Sequence, residues 1–343
     1  MSRGKNTMKK ILITGATGYL GGAILQEARR QGYAIRALCR REPDAGTFPE
    51  GVEVRRGDIT DLPSLAPAVS DCEAVIHAAG LVSIWRRDPA DFYRINVEGT
   101  ENVLRAAGEK RIRVVYTSSF FALGPTGASP ANESWLNTEV LPPTHYARSK
   151  ALALQRVKPW IAEGFDIVPV YPVLIYGPGK ATQGNHITQM IADYVHRRVP
   201  GILGTGEKRW TFSYVQDVAR GHLLALEKGE AGEGYILGGE DASLVEFLEL
   251  LEGITGVKRP RRRIPFAAAK ALAWVEEARA RWSNDYLPRL TREVVEVYKY
   301  HWRYSSQKAI TQLGYTRTPL KAGILKTLAS LGLAPPEERN TIL

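Results

Sequence analysis

Three residues in the middle of the chain can carry acid–base chemistry: Ser119, Tyr146 and Lys150. Tyr146 and Lys150 are four apart in Tyr146-Ala147-Arg148-Ser149-Lys150, a spacing that puts both side chains on one face of a helix. A phenol with its ordinary pKa of about 10 is a poor acid–base group at neutral pH. A neighbouring ammonium favours the phenolate, so Lys150 is expected to move Tyr146 toward working pH. The same lysine can hydrogen-bond a nicotinamide ribose. Ser119 closes the apolar run Val114-Val115-Tyr116-Thr117-Ser118. Its hydroxyl can hold a substrate oxygen beside Tyr146, or it can satisfy backbone groups at a strand end. Tyr-x-x-x-Lys also arises by chance on many helices, so it needs support from elsewhere in the chain.

That support is at the start. The run Ile11-Leu12-Ile13 leads into Thr14-Gly15-Ala16-Thr17-Gly18-Tyr19-Leu20-Gly21, which reads as strand, tight turn, helix. Gly15 lets the chain reverse, Gly18 lets backbone approach a pyrophosphate, and Gly21 lets helix and strand pack closely. Arg40 and Arg41 follow the second strand, where a ribose-binding acid stands in an NAD site. Arginine there pairs with a 2′-phosphate, or else forms a solvated basic turn. NADP is therefore the expected cofactor, with NAD the alternative. In Gly57-Asp58-Ile59-Thr60, Asp58 can cap a helix or reach the adenine amine. His77-Ala78-Ala79-Gly80 ends strand four with small residues that let the backbone pass close to a cofactor, and His77 itself reads as a packed strand residue.

These motifs need a scaffold. Strands are expected at 10–14, 33–38, 52–56, 74–78, 113–117 and 167–171, with helices between them at 19–31 and 91–109. Such alternation specifies an α/β fold: a Rossmann-type, doubly wound parallel sheet with ligands at the strands' carboxyl ends. Residues 122–145 read as a long loop. Beyond Gly177-Pro178-Gly179 the alternation breaks. Helices are expected at 186–199, 243–256 and 265–283, 210–228 return to the core, and another helix starts in the tail beyond Tyr304. The expected division is a leader at 1–7, a dinucleotide-binding domain at 8–179 and 211–240, and a smaller, interrupted substrate domain at 180–210 and 241–335.

The composition excludes several classes. At 343 residues with 44% hydrophobic residues the chain is globular, not disordered. Cys39 and Cys72 make no disulfide framework and no metal-ligand spacing, so no metal is expected and a reduced, cytoplasmic setting fits. The nearest candidate for a membrane segment, Phe266 to Ala273, is interrupted by Lys270, so no integral membrane part is expected. A net charge of +10 raises nucleic acid as a partner, but Lys258-Arg259-Pro260-Arg261-Arg262-Arg263 reads as a solvated turn and no nucleic-acid motif accompanies it. The partners expected are a small-molecule substrate and, in a homodimer, a second copy.

The glycine turn and Ser119, Tyr146 and Lys150, with Asn96-Val97-Glu98-Gly99-Thr100 and Pro172-Val173-Leu174-Ile175-Tyr176-Gly177-Pro178-Gly179, resemble the extended short-chain dehydrogenase/reductases, over roughly residues 8–335. The resemblance implies catalytic roles for Ser119, Tyr146 and Lys150. It also implies cofactor contacts from Gly15, Thr17, Gly18, Tyr19, Leu20, Arg40, Arg41, Asp58, Ile59, Ala78, Ala79, Gly80, Thr117, Tyr146, Lys150 and Tyr171, with Pro172, Val173 and Leu174 flanking the nicotinamide. Within that family, sugar-nucleotide dehydratases carry Asp-Glu where this chain has Phe120 and Phe121, so a dehydratase's acid and base are missing. The segment is similar to plant farnesol dehydrogenase, dihydroflavonol reductases, 3β-hydroxysteroid dehydrogenases and a hopanoid-associated sugar epimerase group. The expected activity is interconversion of an alcohol and a ketone or aldehyde on an apolar substrate, which Phe120, Phe121, Trp85 and Trp210 would contact. A nucleotide-sugar epimerase with tightly held NAD and a non-catalytic cofactor-sensing protein are the alternatives.

Overall fold

Alternation within short strands decides the layers. A computed structural model describes residues 9–137, 139–179, 184–283 and 285–334. In it Leu12, Val75, Val114 and Tyr116 are buried in one apolar layer, and Ile11, Ile13, Ile76 and Val115 in another. Successive strand side chains face opposite ways, so a sheet apolar on both faces must be covered on both.

The first half runs β1 (Lys10–Thr14), α1 (Tyr19–Arg30), β2 (Ala34–Cys39), β3 (Glu53–Arg56), α2 (Ala66–Val69), β4 (Ala74–His77), α3 (Ala90–Tyr93), α4 (Gly99–Lys110), β5 (Arg113–Thr117), α5 (His145–Ala162) and β6 (Ile167–Pro172). There follow β7 (Leu174–Tyr176), α6 (His186–Val195), β8 (Ile202–Leu203), β9 (Arg209–Tyr214), α7 (Val215–Lys228), β10 (Tyr235–Leu237) and β11 (Glu240–Ser243). The chain closes with α8 (Leu244–Thr255), β12 (Arg263–Ile264), α9 (Phe266–Trp282), α10 (Arg292–Val297) and α11 (Leu320–Ser330). Seven strands form one parallel sheet in the order β3-β2-β1-β4-β5-β6-β10. Ile24 and Leu25 of α1 and Val218 and Leu223 of α7 cover one face. Val103 and Leu104 of α4 and Ala153 and Leu154 of α5 cover the other. Strand order reverses between β1 and β4, which opens a crevice at the carboxyl ends there.

The six strands expected in the first half all form, within a residue at each end. Other expectations are corrected. The helix expected over 91–109 forms without a break but is not α throughout: α3 passes through a π-helical turn, Arg94–Glu98, directly into α4. The wider turn leaves the Asn96 carbonyl to accept from Thr100 Oγ1 at 2.7 Å. The segment 210–228 returns only in part to the main sheet's layers, because β9 pairs with β7 and β11 in a separate three-stranded sheet. The long loop after residue 122 is pinned by the C-terminal chain, with Thr126 N donating to His301 O and Ala131 N to Arg303 O, both at 2.9 Å. The expected leader, 1–7, lies outside the described residues, as do 180–183 and 335 at the edges of the expected substrate domain.

Candidate active site

The glycine turn has the shape of a phosphate cradle. Gly15 has φ +76°, and a Cβ there would lie 2.6 Å from Ala79 N. A Cβ on Gly21 would lie 2.0 Å from Gly15 O, so α1 can start this close to β1 only with glycine. Gly18 is the N-cap of α1, has no side-chain capping bond, and is followed by no acidic residue in the first turn. The first N–H groups of α1 therefore remain available to an anion beside the exposed Thr17 and Gly18. Those features fit a dinucleotide's pyrophosphate. Tyr19 turns away from it, its ring against Gly177 and Gly179, and burial pushes its phenol pKa up. Leu20 is half-buried against the α1–α7 layer.

A directed chain of hydrogen bonds fixes the end of β4. Thr100 Oγ1 spends its proton on Asn96 O, so at 3.1 Å it must accept from His77 Nε2. His77 Nδ1 then accepts from Thr14 Oγ1 at 2.8 Å, and Thr14 Oγ1 accepts from Ala79 N at 3.2 Å. Burial pushes His77 down to about 3, so the ring is neutral and structural, as expected. Ala78 N bonds Thr14 O at 3.2 Å. A Cβ on Gly80 would come within 3.2 Å of Asn96 Oδ1 and 3.5 Å of Lys150 Nζ. The short run from Ala78 to Gly80 thus touches the glycine turn at one end and Lys150 at the other. Asn96 holds this run in place, accepting from Leu81 N at 2.7 Å and donating to Leu81 O at 3.1 Å and Ser149 Oγ at 2.9 Å.

Thr144 caps α5 by accepting from Ala147 N at 3.0 Å, which sets the rotation that turns Tyr146 and Lys150 inward. Lys150 is buried and donates to Thr117 O at 2.9 Å; burial lowers its pKa to about 8. Thr117 Oγ1 in turn bonds His222 of α7 at 3.0 Å. Ser119 caps the 3-10 turn Phe120–Ala122, accepting from Phe121 N at 3.3 Å. Its hydroxyl also interacts with the Tyr146 phenol. The expectation for Tyr146 itself is corrected. Burial pushes the phenol up to about 12, the Ser119 hydroxyl works against that rise, and Lys150 spends a proton on Thr117 O.

Phe121 meets Tyr146 edge-on, with ring centroids 5.9 Å apart. Phe120 turns into the core instead, 5.4 Å from Trp302 and 5.9 Å from Tyr304. Trp302, which no motif or spacing singles out, backs both phenylalanines and is fully buried. Trp210 is not brought to the site: it is buried against Tyr298, and its indole N–H donates to Tyr300 O at 3.2 Å. Trp85 lines a cleft of about 630 Å³ with Ile84, Phe92, His145, Arg148 and Arg281. That cleft abuts the first turn of α5 through His145 and Arg148, and Tyr146 does not line it.

The remaining expected residues are scattered around the rim. Arg40 and Arg41 are exposed just past β2 and make no ion pair or side-chain hydrogen bond among the described residues. Asp58 accepts from Thr60 N and Thr60 Oγ1, both at 2.9 Å, which makes it a turn cap, and Ile59 packs on Gly99. Pro172, Val173 and Leu174 leave the carboxyl end of β6, beside β5, which ends at Thr117. Tyr171 does not join them: its ring lies on Gly234, before the start of β10, which points it back from the strands' carboxyl ends. Two residues were missed that only tertiary structure reveals, Trp302 and Glu293. Glu293 of α10 accepts from His145 N at 3.0 Å and from Arg148 at 3.4 Å.

A parallel sheet with a glycine cradle at its switch point and a Ser/Tyr/Lys set beside it defines a nicotinamide-nucleotide enzyme. The chain belongs to the NAD dependent epimerase/dehydratase family, which it matches over residues 11–238, and it is a reductase or epimerase of that family. It is 32% identical over 328 residues to sterol demethylase protein B of Methylococcus capsulatus, covering 93% of this chain and 97% of that one. It is 33% identical over 272 residues to the 4-hydroxy-2-methyl-3-oxo-4-farnesyl-3,4-dihydroquinoline-1-oxide ketoreductase of Stigmatella aurantiaca, covering 78% and 80%. The crystal structure of gox2253 superposes with a TM-score of 0.81 at 33% identity, covering 95% of this chain and all of the other.

Proposed function

We propose that this protein is an NADP-dependent reductase of ketones on apolar, isoprenoid- or steroid-like substrates, working reversibly as an alcohol dehydrogenase. The observation that carries the reading is Phe121 edge-on to Tyr146, with Ser119 on the same phenol. An apolar ring beside the phenol supports an apolar substrate. The relatives named for a sterol and for a farnesylated ketone point the same way.

A nicotinamide bound here would supply or accept the hydride. Tyr146 gives its phenolic proton to the substrate oxygen in reduction and takes it back in oxidation. Ser119 donates to that oxygen and orients it. Lys150, fixed by Thr117 O, would hold a ribose hydroxyl. Pyrophosphate would rest on the N–H groups after Gly18, and Arg40 or Arg41 would pair with the 2′-phosphate. On this reading 8–179 with 211–240 hold the dinucleotide, and 180–210 with 241–335 hold the substrate.

The test is absorbance of reduced nicotinamide across a panel of apolar ketones with NADPH and NADH. Tyr146→Phe is expected to lower turnover by roughly 10²–10⁴-fold while cofactor still binds. Replacing Arg40 and Arg41 by neutral residues is expected to weaken NADP about tenfold to a hundredfold and to leave NAD unchanged. Activity of Tyr146→Phe within a few-fold of wild type rejects the mechanism. Purification with retained NAD and no ketone turnover favours the epimerase reading instead.

A further inference from the structure

One helix of this fold presents the wrong surface for a solvated element. An ordinary surface helix is apolar toward the core and polar toward water. On α9, Ala269, Ala273 and Ala280 face inward and are buried. Its outer face carries Leu272, Trp274, Val275 and Trp282, which are 55%, 59%, 54% and 92% exposed. Ala267, Ala268 and Ala271 complete that face. The helix is therefore apolar on both sides and partnered on one.

The charges around it are sorted by sign. The acids of α9 are engaged: Glu277 is buried on Arg292 at 2.8 Å, and Glu276 accepts from Arg289 N at 3.0 Å. Among the described residues its two arginines pair with no acid: Arg279 lies over the Tyr286 ring at 4.3 Å and Arg281 over the Trp85 ring at 6.0 Å. Arg87 joins them, donating to Ala280 O and Arg281 O at the carboxyl end of the helix, with Arg86 next to it. Arg261 and Arg262 are exposed just before the amino end. Asp285, shortly after the helix, and Asp88, next to Arg87, are exposed acids there, fewer than the arginines around them. An exposed apolar face with tryptophans and unneutralised arginines at both ends matches the headgroup and acyl boundary of an anionic bilayer.

We propose that the outer face of α9, with Arg279, Arg281 and Arg86-Arg87, is a docking surface for an anionic lipid bilayer. Leu272, Trp274, Val275 and Trp282 enter the interface and the arginines meet lipid phosphates. Among the described residues no helix is long and apolar enough to cross a membrane, so the contact is peripheral. Lys270, Glu277 and Arg281 of the same helix line the cleft beside α5, so docking sets the cleft against the lipid. Delivery of a lipid-dissolved substrate rests on the function proposed above, whereas docking rests on the surface alone.

The experiment is co-sedimentation of the full chain with vesicles of phosphatidylcholine mixed with phosphatidylglycerol, against pure phosphatidylcholine, with tryptophan emission and light-scattering mass read in parallel. Wild type is expected to partition onto the mixed vesicles with a blue-shifted emission, and more weakly onto neutral ones. The triple variant Leu272→Ser, Trp274→Ser, Val275→Ser is expected to stay in the supernatant, and Trp282→Ser alone to bind more weakly. Arg279→Gln should lower the partition coefficient about fivefold, the effect of one basic residue at an anionic surface. Circular dichroism checks the fold of each variant. Wild type left in the supernatant overturns the proposal, as does a triple variant that binds like wild type. A triple variant that changes only from dimer to monomer also overturns it and gives the face to a second copy. Ketone turnover without vesicles is a separate readout, whose failure removes the substrate reading and leaves vesicle binding to decide docking.

Discussion

Phe120 and Phe121 are carried by a 3-10 turn and their rings stack with centroids 4.2 Å apart, yet each meets a different partner beyond that contact. Phe121 is half-buried against Tyr146, so Phe121→Ala is expected to raise KM for bulky apolar ketones and leave cofactor affinity unchanged. Phe120 is buried against Trp302 and Tyr304, so Phe120→Ala should cost about 3–5 kcal/mol of stability, read by urea denaturation. Equal loss of stability in both, with KM unmoved, would remove the support on which the apolar reading stands. Lys150 allows a second test, in pH. Its folded pKa of about 8 is below its ordinary 10.5, so the unfolded chain binds more protons between those values. The cost of burying the ammonium is therefore full below about pH 8 and is relieved as pH rises toward 10.5. Wild type should gain stability relative to Lys150→Met across that window, by an amount on the order of 1.4 kcal/mol per pKa unit. A difference that stays flat from pH 7 to 10.5 would show that Lys150 is not buried as a cation.

At the scale of elements, α5 shows what could be read in advance and what could not. Tyr146 and Lys150 were legible because helical periodicity alone places i and i+4 together. The strands were legible because short apolar runs alternate with helical patterns, and the Asn96-to-Thr100 motif marked its position. The π turn at Arg94–Glu98 was not, since its apolar spacing reads as continuous helix and only the bonds of Asn96 to Leu81 and Ser149 account for the wider turn. Trp302 and Glu293 were not legible either, because both arrive from a segment far along the chain, Glu293 lying 148 residues after His145. Yet α5 has no acid in its own first turn, and Glu293 supplies one. A carboxylate there satisfies a free N–H and favours the helix dipole. Glu293→Ala should lose about 1 kcal/mol of stability and lower kcat more than KM rises, because the turn that carries Tyr146 loosens. Glu293→Gln, whose amide oxygen still accepts, should recover most of both. Turnover and urea midpoints of the two variants check this, and a wild-type kcat in Glu293→Ala would reduce the residue to a surface ion pair.

Across the whole molecule, burial is uneven in a way that matters for access to the site. The seven-stranded sheet is sandwiched between two large apolar layers, whereas among the described residues α9 and α10 meet around a small cluster, Ala269, Ala273 and Val295, with Phe266 and Leu290 packed against it. Two ion pairs also join the helices, Lys270 with Glu296 and Arg292 with Glu277, and of these four side chains only Glu277 is well buried. Exposed pairs contribute little, so the unit should open at a lower free energy than the sheet. The same two helices line the cleft beside α5, and α10 carries the carboxylate that caps α5. Local opening would therefore widen the cleft and release the turn bearing Tyr146 in one motion, while closure would restore both. Native-state hydrogen exchange is the measurement. Amides of α9 and α10 are expected to exchange well before those of β1, β4 and β5, which should wait for global unfolding. Adding NADP should slow exchange at the Gly15–Gly21 turn first, since a ligand protects what it binds. Protection of α9 and α10 equal to that of the sheet would show one cooperative body and would leave the cleft without a moving wall.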